Sequence, residues 1–303
     1  MDKRNKLPDD FFERLDALMA RGETAPIEAY LTDTLAGLDP DSPEAATVLN
    51  ELAAYYRGVT RYAEARESWK KAMDIMERLG WDSSPQYATM MINRAGLLRL
   101  TGEYREAVRE YNAAASLLEA QGQGGSYAYV SLLNNLALTY ESMGEPDEAI
   151  PLAETALKIV RLRPDSEVEV ATALNNLAAM HLRAGAADKA EAMIREAIER
   201  FNALPEQNSH LFAAHATLGA VLYNTKRYEE ALTEFEAAIK GTETLYGKNI
   251  DYASALRSRG FTLEALGRAD EAKKCLDEAA DLAERLLGAE HSIARAWRRE
   301  AGK

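Results

Sequence analysis

Gly102-Glu103-Tyr104-Arg105-Glu106-Ala107 is the stretch on which the fold turns, because the chain repeats it. Gly144-Glu145-Pro146-Asp147-Glu148-Ala149, Gly185-Ala186-Ala187-Asp188-Lys189-Ala190 and Gly267-Arg268-Ala269-Asp270-Glu271-Ala272 are close copies, and weaker ones end at Ala65 and Ala231. The six anchoring alanines, Ala65, Ala107, Ala149, Ala190, Ala231 and Ala272, are separated by 42, 42, 41, 41 and 41 residues. Twelve residues before each anchor stand Ala53, Ala95, Ala137, Ala178, Gly219 and Gly260, and seven after it stand Ala72, Ala114, Ala156, Ala197, Ala238 and Ala279. Small side chains in fixed columns let two helices approach closely, where larger ones would hold the backbones apart.

The segments between these columns carry apolar residues at helical spacing, as in Leu133, Leu136 and Tyr140, then Ile150, Leu157 and Val160. Gly102, Gly144, Gly185 and Gly267 stand where a left-handed residue ends the first helix of each pair, whereas Thr60 and Lys226 hold that place in the first and fifth repeats and predict less comfortable turns. Second helices are expected to stop at Gly80, Gly122, Pro164, Pro205, Gly247 and Gly288. Restart signals follow at Ser84-Pro85, at Ser126, and at Ser166-Glu167-Val168-Glu169, which has the form of a capping box. Each unit therefore reads as helix, tight turn, helix, short loop, giving six antiparallel pairs in series.

This column set resembles the tetratricopeptide repeat (TPR) family, which has small residues at repeat positions 8, 20 and 27 and a usual period of 34. The longer period here, together with Leu133-Asn134-Asn135-Leu136-Ala137, Leu174-Asn175-Asn176-Leu177-Ala178 and Leu287-Gly288-Ala289-Glu290-His291, resembles the kinesin-light-chain subtype. The chain departs from the family at position 4, often Trp there, where Leu49, Met91, Leu133, Leu174, His215 and Leu256 stand. The family proline at position 32 is also missing, as expected if the second helix continues. The resemblance implies an all-α fold, a right-handed α-α superhelical solenoid of TPR helix pairs. The expected organisation is an N-terminal helical cap over 1–45, six repeats over 46–288 (about 46–86, 87–127, 128–168, 169–209, 210–250 and 251–288) and a capping helix over 289–303. In the cap, 9–21 and 25–38 read as amphipathic helices, with Ala29 and Ala36 repeating the seven-residue alanine spacing.

The resemblance also implies a binding wall, since positions 2, 6, 9 and 13 of first helices commonly face a concave groove. Position 2 supplies Thr89, Ser131 and Thr172, and position 6 supplies Asn93, Asn135 and Asn176, beside Asn134 and Asn175. An Asn amide both donates and accepts, so such a row suits the backbone of a peptide, whatever its side chains. The same amides equally suit bonds between neighbouring helices. Arg183 and Asn224 occupy position 13, and Arg57, Arg99, Arg183 and Arg257 together form a candidate cationic edge for an acidic residue or a C-terminal carboxylate, or else pair with local glutamates. Position 2 carries no Lys, so the carboxylate clamp of chaperone-binding TPR domains is not expected.

Bulk properties point the same way. A net charge of −13 repels phosphate backbones, so nucleic acid is not an expected partner. No run is long and apolar enough to span a bilayer, and the first residues lack the apolar stretch of a signal peptide, so a cytoplasmic chain without a membrane partner is expected. The one cysteine, Cys275, reads as a buried filler, and His181 replaces the Tyr56 and Tyr140 of its column, which favours packing over ligation. With no nucleophile elbow, phosphate loop or metal spacing, neither an enzyme nor a cofactor is expected. The expected partner is a protein or peptide held by a scaffold or adaptor; a peptide-responsive sensor and a homo-oligomer are the alternatives.

Overall fold

The structure, a computed structural model, describes residues 6–20, 24–204 and 209–302. It is all-α, with 15 helices and no strand among the described residues. Two compact units divide the chain, 1–145 and 146–303. Unit 1 holds α1 (Phe11–Ala20), α2 (Thr24–Ala36), α3 (Pro43–Gly58), α4 (Tyr62–Arg78), α5 (Pro85–Leu100), α6 (Tyr104–Ala120) and α7 (Tyr127–Ser142). Unit 2 holds α8 (Pro146–Val160), α9 (Glu167–Arg183), α10 (Ala187–Asn202), α11 (Ser209–Asn224), α12 (Tyr228–Tyr246), α13 (Ile250–Ala265), α14 (Ala269–Leu287) and α15 (Ser292–Ala301).

Helices pair in tandem as the columns require: α3 with α4 and α5 with α6 in unit 1, then α9 with α10, α11 with α12 and α13 with α14 in unit 2. The two helices of the third repeat fall in different units, where α7 lies on α6 and α8 on α9. The small columns are sealed: Ala65, Ala107, Ala190 and Ala231 are fully buried, and so are Ala156 and Ala197. Where position 8 is glycine, the room goes to a large partner. A Cβ at Gly219 would lie 2.7 Å from the Phe235 ring, and one at Gly260 would lie 2.9 Å from Leu276. The tightest approach is at Gly241, whose added Cβ would meet the Phe212 ring at 2.1 Å.

One cap closes every first helix. The N–H groups of Arg61, Glu103, Glu145, Ala186, Arg227 and Arg268 donate to the carbonyls of Tyr56, Leu98, Tyr140, His181, Leu222 and Leu263 at 2.8–2.9 Å. This six-to-one bond needs a left-handed residue before it. Glycine supplies it in four repeats, and Thr60 and Lys226, both at φ 61°, supply it in the other two. The expected discomfort of those two turns is thus present as backbone strain.

Helix starts follow the serines at all three sites that precede proline or tyrosine. Ser42 and Ser84 accept N–H bonds from Ala45 and Tyr87 at 3.1 Å, each followed by a proline in the first turn, and Ser126 accepts from Tyr129 at 3.2 Å. Ser166 differs from the expected capping box. Its hydroxyl donates backward to the Val160 and Arg163 carbonyls at 2.8 and 2.9 Å, because α8 stops at Val160, before the expected Pro164, and its last carbonyls have no intrahelical partner. The expected stop at Pro205 lies outside the described residues, as does Arg21.

At the N-terminal end, Phe11, Leu15, Ile27 and Leu31 pack against Val48, Leu52, Tyr56 and Trp69 of the first pair. Ala29 and Ala36 are exposed, so the alanine spacing in α2 is not its packing face; Ile27 and Leu31 are. At the other end α15 continues the columns. Ala294 and Ala301 are buried nineteen and twelve residues short of where a seventh anchor would fall (313), so that Ala301 takes the small position 8 and Trp297 takes position 4.

Candidate functional site

The first helices carry the expected wall residues, and each unit presents its own set. In unit 1, Thr89 is exposed and donates to the Pro85 carbonyl of its own helix at 3.0 Å. Asn93 is half-buried and donates to Asn50 Oδ1 at 3.3 Å, an oxygen that also accepts the Trp69 indole N–H at 2.9 Å. Asn93 is therefore part of an interhelix bond chain, one turn of the structural alternative. Asn135 donates to the Ser131 carbonyl at 2.8 Å within α7, and its Oδ1 receives no bond among the described residues. Asn134 beside it is half-buried.

In unit 2, Thr172 donates to the Val168 carbonyl at 2.8 Å, and the half-buried pair Asn175 and Asn176 share one bond of 3.4 Å. Asn175 Oδ1 is sealed from solvent without a donor. Asn224 and Arg183 are exposed, and burial of its stem draws the Arg183 guanidinium below its usual range. Asn93 and Asn135 thus lie in unit 1 and Asn176 in unit 2, each tied mainly to its own helix or nearest neighbour.

The arginines separate into two kinds. Arg257 does not form an open edge: its Nε and Nη2 donate to both oxygens of Glu300 at 2.5 and 2.7 Å, and its guanidinium lies over the Phe261 and Trp297 rings at 4.7 and 5.5 Å. Those contacts fasten α15 to α13, which the residue pattern concealed because Glu300 is 43 residues away. Arg57 and Arg99 are half-buried in unit 1, and neither enters an ion pair with a described residue. Arg57 reaches only the Asn93 carbonyl, at 3.5 Å, and covers the Trp69 ring at 5.7 Å. Burial and the neighbouring Arg99 charge hold the Arg57 guanidinium below its usual range.

Two further features were not legible as site residues. Tyr111, fully buried at position 24, carries a hydroxyl without a hydrogen-bond partner, and burial pushes it up to about 12. In unit 2 a cleft of about 320 Å³ opens between α11, α12 and α13. Ala213, Ser254 and Ser258 line it, three residues at positions 2 and 6, with Thr242 and Tyr246 from α12 and Asp251 from α13. Positions 2 and 6 could be read from the repeat, but the contribution of α12 could not, since second helices are assigned to the outer layer.

Cys275 is buried, with Arg259 Nη1 3.0 Å from its sulfur, and burial raises its thiol. His181 is 5% exposed, its Nε2 lacks a hydrogen bond, and Glu154 stands 3.9 Å away. Burial, with Lys189 adding to it, lowers the imidazole. No helix among the described residues is long and apolar enough to cross a membrane.

Comparison with known proteins agrees with this architecture. Tetratricopeptide repeat models match residues 44–120 and 128–203, and 216–249 and 253–293. The chain belongs to the tetratricopeptide repeat family. Among solved structures it is similar to BtubC (BKLC) from P. vanneervenii, with 24% identity and a TM-score of 0.60 over 74% of this chain and 91% of that one. A Podosopora anserina putative kinesin light chain with nearly identical TPR-like repeats is 16% identical, with a TM-score of 0.55 over 66% of this chain and 96% of that one. The quorum sensor NprR from B. thuringiensis is 14% identical, with a TM-score of 0.60 over 96% of this chain and 85% of that one, and NprR has also been solved with its cognate peptide NprX. At these identities the likeness is one of fold. No curated protein sequence matches the chain.

Proposed function

We propose that the chain is a protein-binding scaffold or adaptor that receives a peptide segment of a partner on the first-helix faces of its units. The observation that carries this is the cleft between α11, α12 and α13, walled by the small and hydroxyl residues Ala213, Ser254 and Ser258. Bulky side chains there would fill the space; Ala and Ser leave it for a ligand, and the Ser hydroxyls supply acceptors to it. Within unit 1 the half-buried amides Asn93, Asn134 and Asn135, with Thr89 and Ser131, and within unit 2 Asn175 and Asn176, with Thr172, supply further peptide-backbone partners. Each bond contributes about 0.5–1.5 kcal/mol, so micromolar binding calls for several of them plus a side-chain pocket.

The test is a peptide library presented to the full chain and to two variants, Ser254→Tyr, which blocks the cleft, and Asn135→Ala with Asn176→Ala. Loss of the captured peptides in the first variant supports the cleft. Capture undiminished in both variants rejects the first-helix faces as the binding surface.

A second reading, a peptide-responsive sensor, draws on the likeness to NprR, which is described as a quorum sensor and has been solved with a peptide. Small-angle scattering with and without a captured peptide separates the two: a changed profile favours a sensor, an unchanged one a scaffold. A cytoplasmic site of action and self-association belong to the same proposal, the latter checked by analytical ultracentrifugation.

A further inference from the structure

Arg57 and Arg99, each the last residue but one of its helix (α3 and α5), share a neighbourhood with the buried Tyr111 of α6. Gly96 leaves that room open, for a Cβ there would stand 3.1 Å from Arg57 Nη1 and 3.6 Å from Tyr111 Oη. Two positive charges are thus drawn together out of bulk water with no described carboxylate paired to either. Other arginines of this half-buried kind are neutralised, as Arg94 is by Glu110 at 2.5 Å and Arg259 by Glu236 at 3.1 Å. Glu51, an acid of the same first-helix row, is bonded to Asn50 at 3.1 Å.

The hydrogen bonds carry the same deficit. Arg99 Nε–H is sealed without an acceptor, and the sealed Tyr111 hydroxyl, with the Arg99 guanidinium beside it, has no acceptor for its proton. Arg57 has a single bond, at the 3.5 Å limit of a hydrogen bond. A buried donor left unmet keeps its full desolvation cost, and the cost is larger when the donor is charged. What is missing from this cluster is an acceptor that carries negative charge.

We propose that Arg57, Arg99 and Tyr111 form a receptor for one carboxylate of a peptide ligand, either an acidic side chain or a C-terminus. This rests on the reading that the first-helix faces receive a peptide, and adds to it a preferred chemistry. A carboxylate has two oxygens with about four lone-pair directions, enough for both guanidinium forks and the phenol proton. A polyanion is disfavoured by the chain's net charge of −13, whereas a single carboxylate meets two local positive charges before it meets that field. Tyr111 lies beneath the arginines as the third donor, and Gly96 keeps side-chain bulk away from them.

The experiment follows the Arg Nε–Hε resonances of the full chain by NMR during titration with four probes. They are N-acetyl-triglycine, which has a free C-terminus; N-acetyl-Gly-Glu-Gly amide, which has a side-chain carboxylate; the neutral N-acetyl-triglycine amide; and inorganic phosphate. Saturable shifts of Arg57 and Arg99 with either carboxylate probe, and none with the neutral amide, are expected, and the tighter of the two identifies the source. Arg99→Gln is expected to weaken that probe about tenfold or more, and Tyr111→Phe about three- to tenfold, with helicity retained. Arg57→Gln serves as the second variant if Arg99→Gln does not fold, and Lys158→Ala, on the exposed surface of α8, is expected to leave the affinity unchanged.

Equal shifts with the neutral amide, no shift with any probe, tighter binding of phosphate than of both carboxylates, or unchanged affinity in folded Arg99→Gln each overturns the proposal. If neutral peptides from the library bind while these two arginines stay silent, the receptor fails and the groove stands. If the carboxylates bind here while the library captures nothing, the groove fails and the receptor stands.

Discussion

Arg57 and Arg99 in unit 1 and Arg257 and Arg259 in unit 2 all rise from first helices, yet their surroundings are opposite. In unit 2 each guanidinium has found a carboxylate, Glu300 for Arg257 and Glu236 for Arg259. In unit 1 both remain unmatched, over Trp69 and beside a phenol whose proton has no acceptor. The same residue type thus fastens a helix in one unit and leaves a charge deficit in the other. Net stabilisation follows from the partner, since a half-buried charge without one keeps its desolvation cost and gains no attraction.

Predictions that break or sharpen this contrast begin with packing. Gly241→Ala sets a methyl 2.1 Å from the Phe212 ring in unit 2, and Ala114→Leu overfills a sealed alanine column in unit 1. Each is expected to cost about 3 kcal/mol, seen as a lowered thermal midpoint. Hydrogen exchange should then show the loss confined to the mutated unit; loss spread evenly over both would contradict two separately cohesive units.

The arginine contrast itself comes next. Arg257→Gln is expected to lower stability by about 2 kcal/mol, with the amides of α15 losing protection first, because Glu300 is left half-buried and unpaired. Arg57→Gln is expected to change stability by about 0.5 kcal/mol or less, or to raise it, because it relieves like-charge repulsion with Arg99. Urea titrations of the two variants decide it, and equal losses would erase the distinction.

Turn strain should be worth less. Thr60→Gly in unit 1 and Lys226→Gly in unit 2 are each expected to stabilise by about 1 kcal/mol, since both positions sit at φ 61° and glycine has no Cβ penalty there. Measured gains near zero would mean that flexibility added to the unfolded chain offsets the relief.

The smallest expected effect is one of pH. His181 in unit 2 is buried and its imidazole is lowered, so the folded state resists protonation that the unfolded state accepts. Stability is therefore full above the ordinary histidine range and falls as pH drops through it, from about 7 toward 5. His181→Leu, the residue type that fills the same column at Leu98, Leu222 and Leu263, is expected to flatten that slope. An unchanged slope in chemical denaturation across this range would assign the dependence elsewhere.

Much of this was legible before any coordinates, and the reasons are local. Columns of Ala65, Ala156 or Ala197 announce helix-to-helix contact because a methyl group has one use at such spacing, close approach. The glycine two residues before a second helix marked a left-handed cap, and its replacement by Thr60 and Lys226 marked strain, because backbone sterics are a property of the residue itself. Ser166 was misjudged for the converse reason. A serine hydroxyl serves either the helix ahead or the helix behind, and the early end of α8 sent it backward.

The repeat register, the helix pairs, the strained turns and the family were determined by the sequence alone, because each depends on residues within one 41–42-residue period. Whether an arginine is neutralised depends on a carboxylate 23 or 43 residues away, as at Glu236 and Glu300, and on which face of which helix carries it. That was decided only by the tertiary structure. The unmatched pair of unit 1, the phenol beneath it and the cleft walled by α12 all arise from side chains of different helices converging in space, for which no periodic pattern is required.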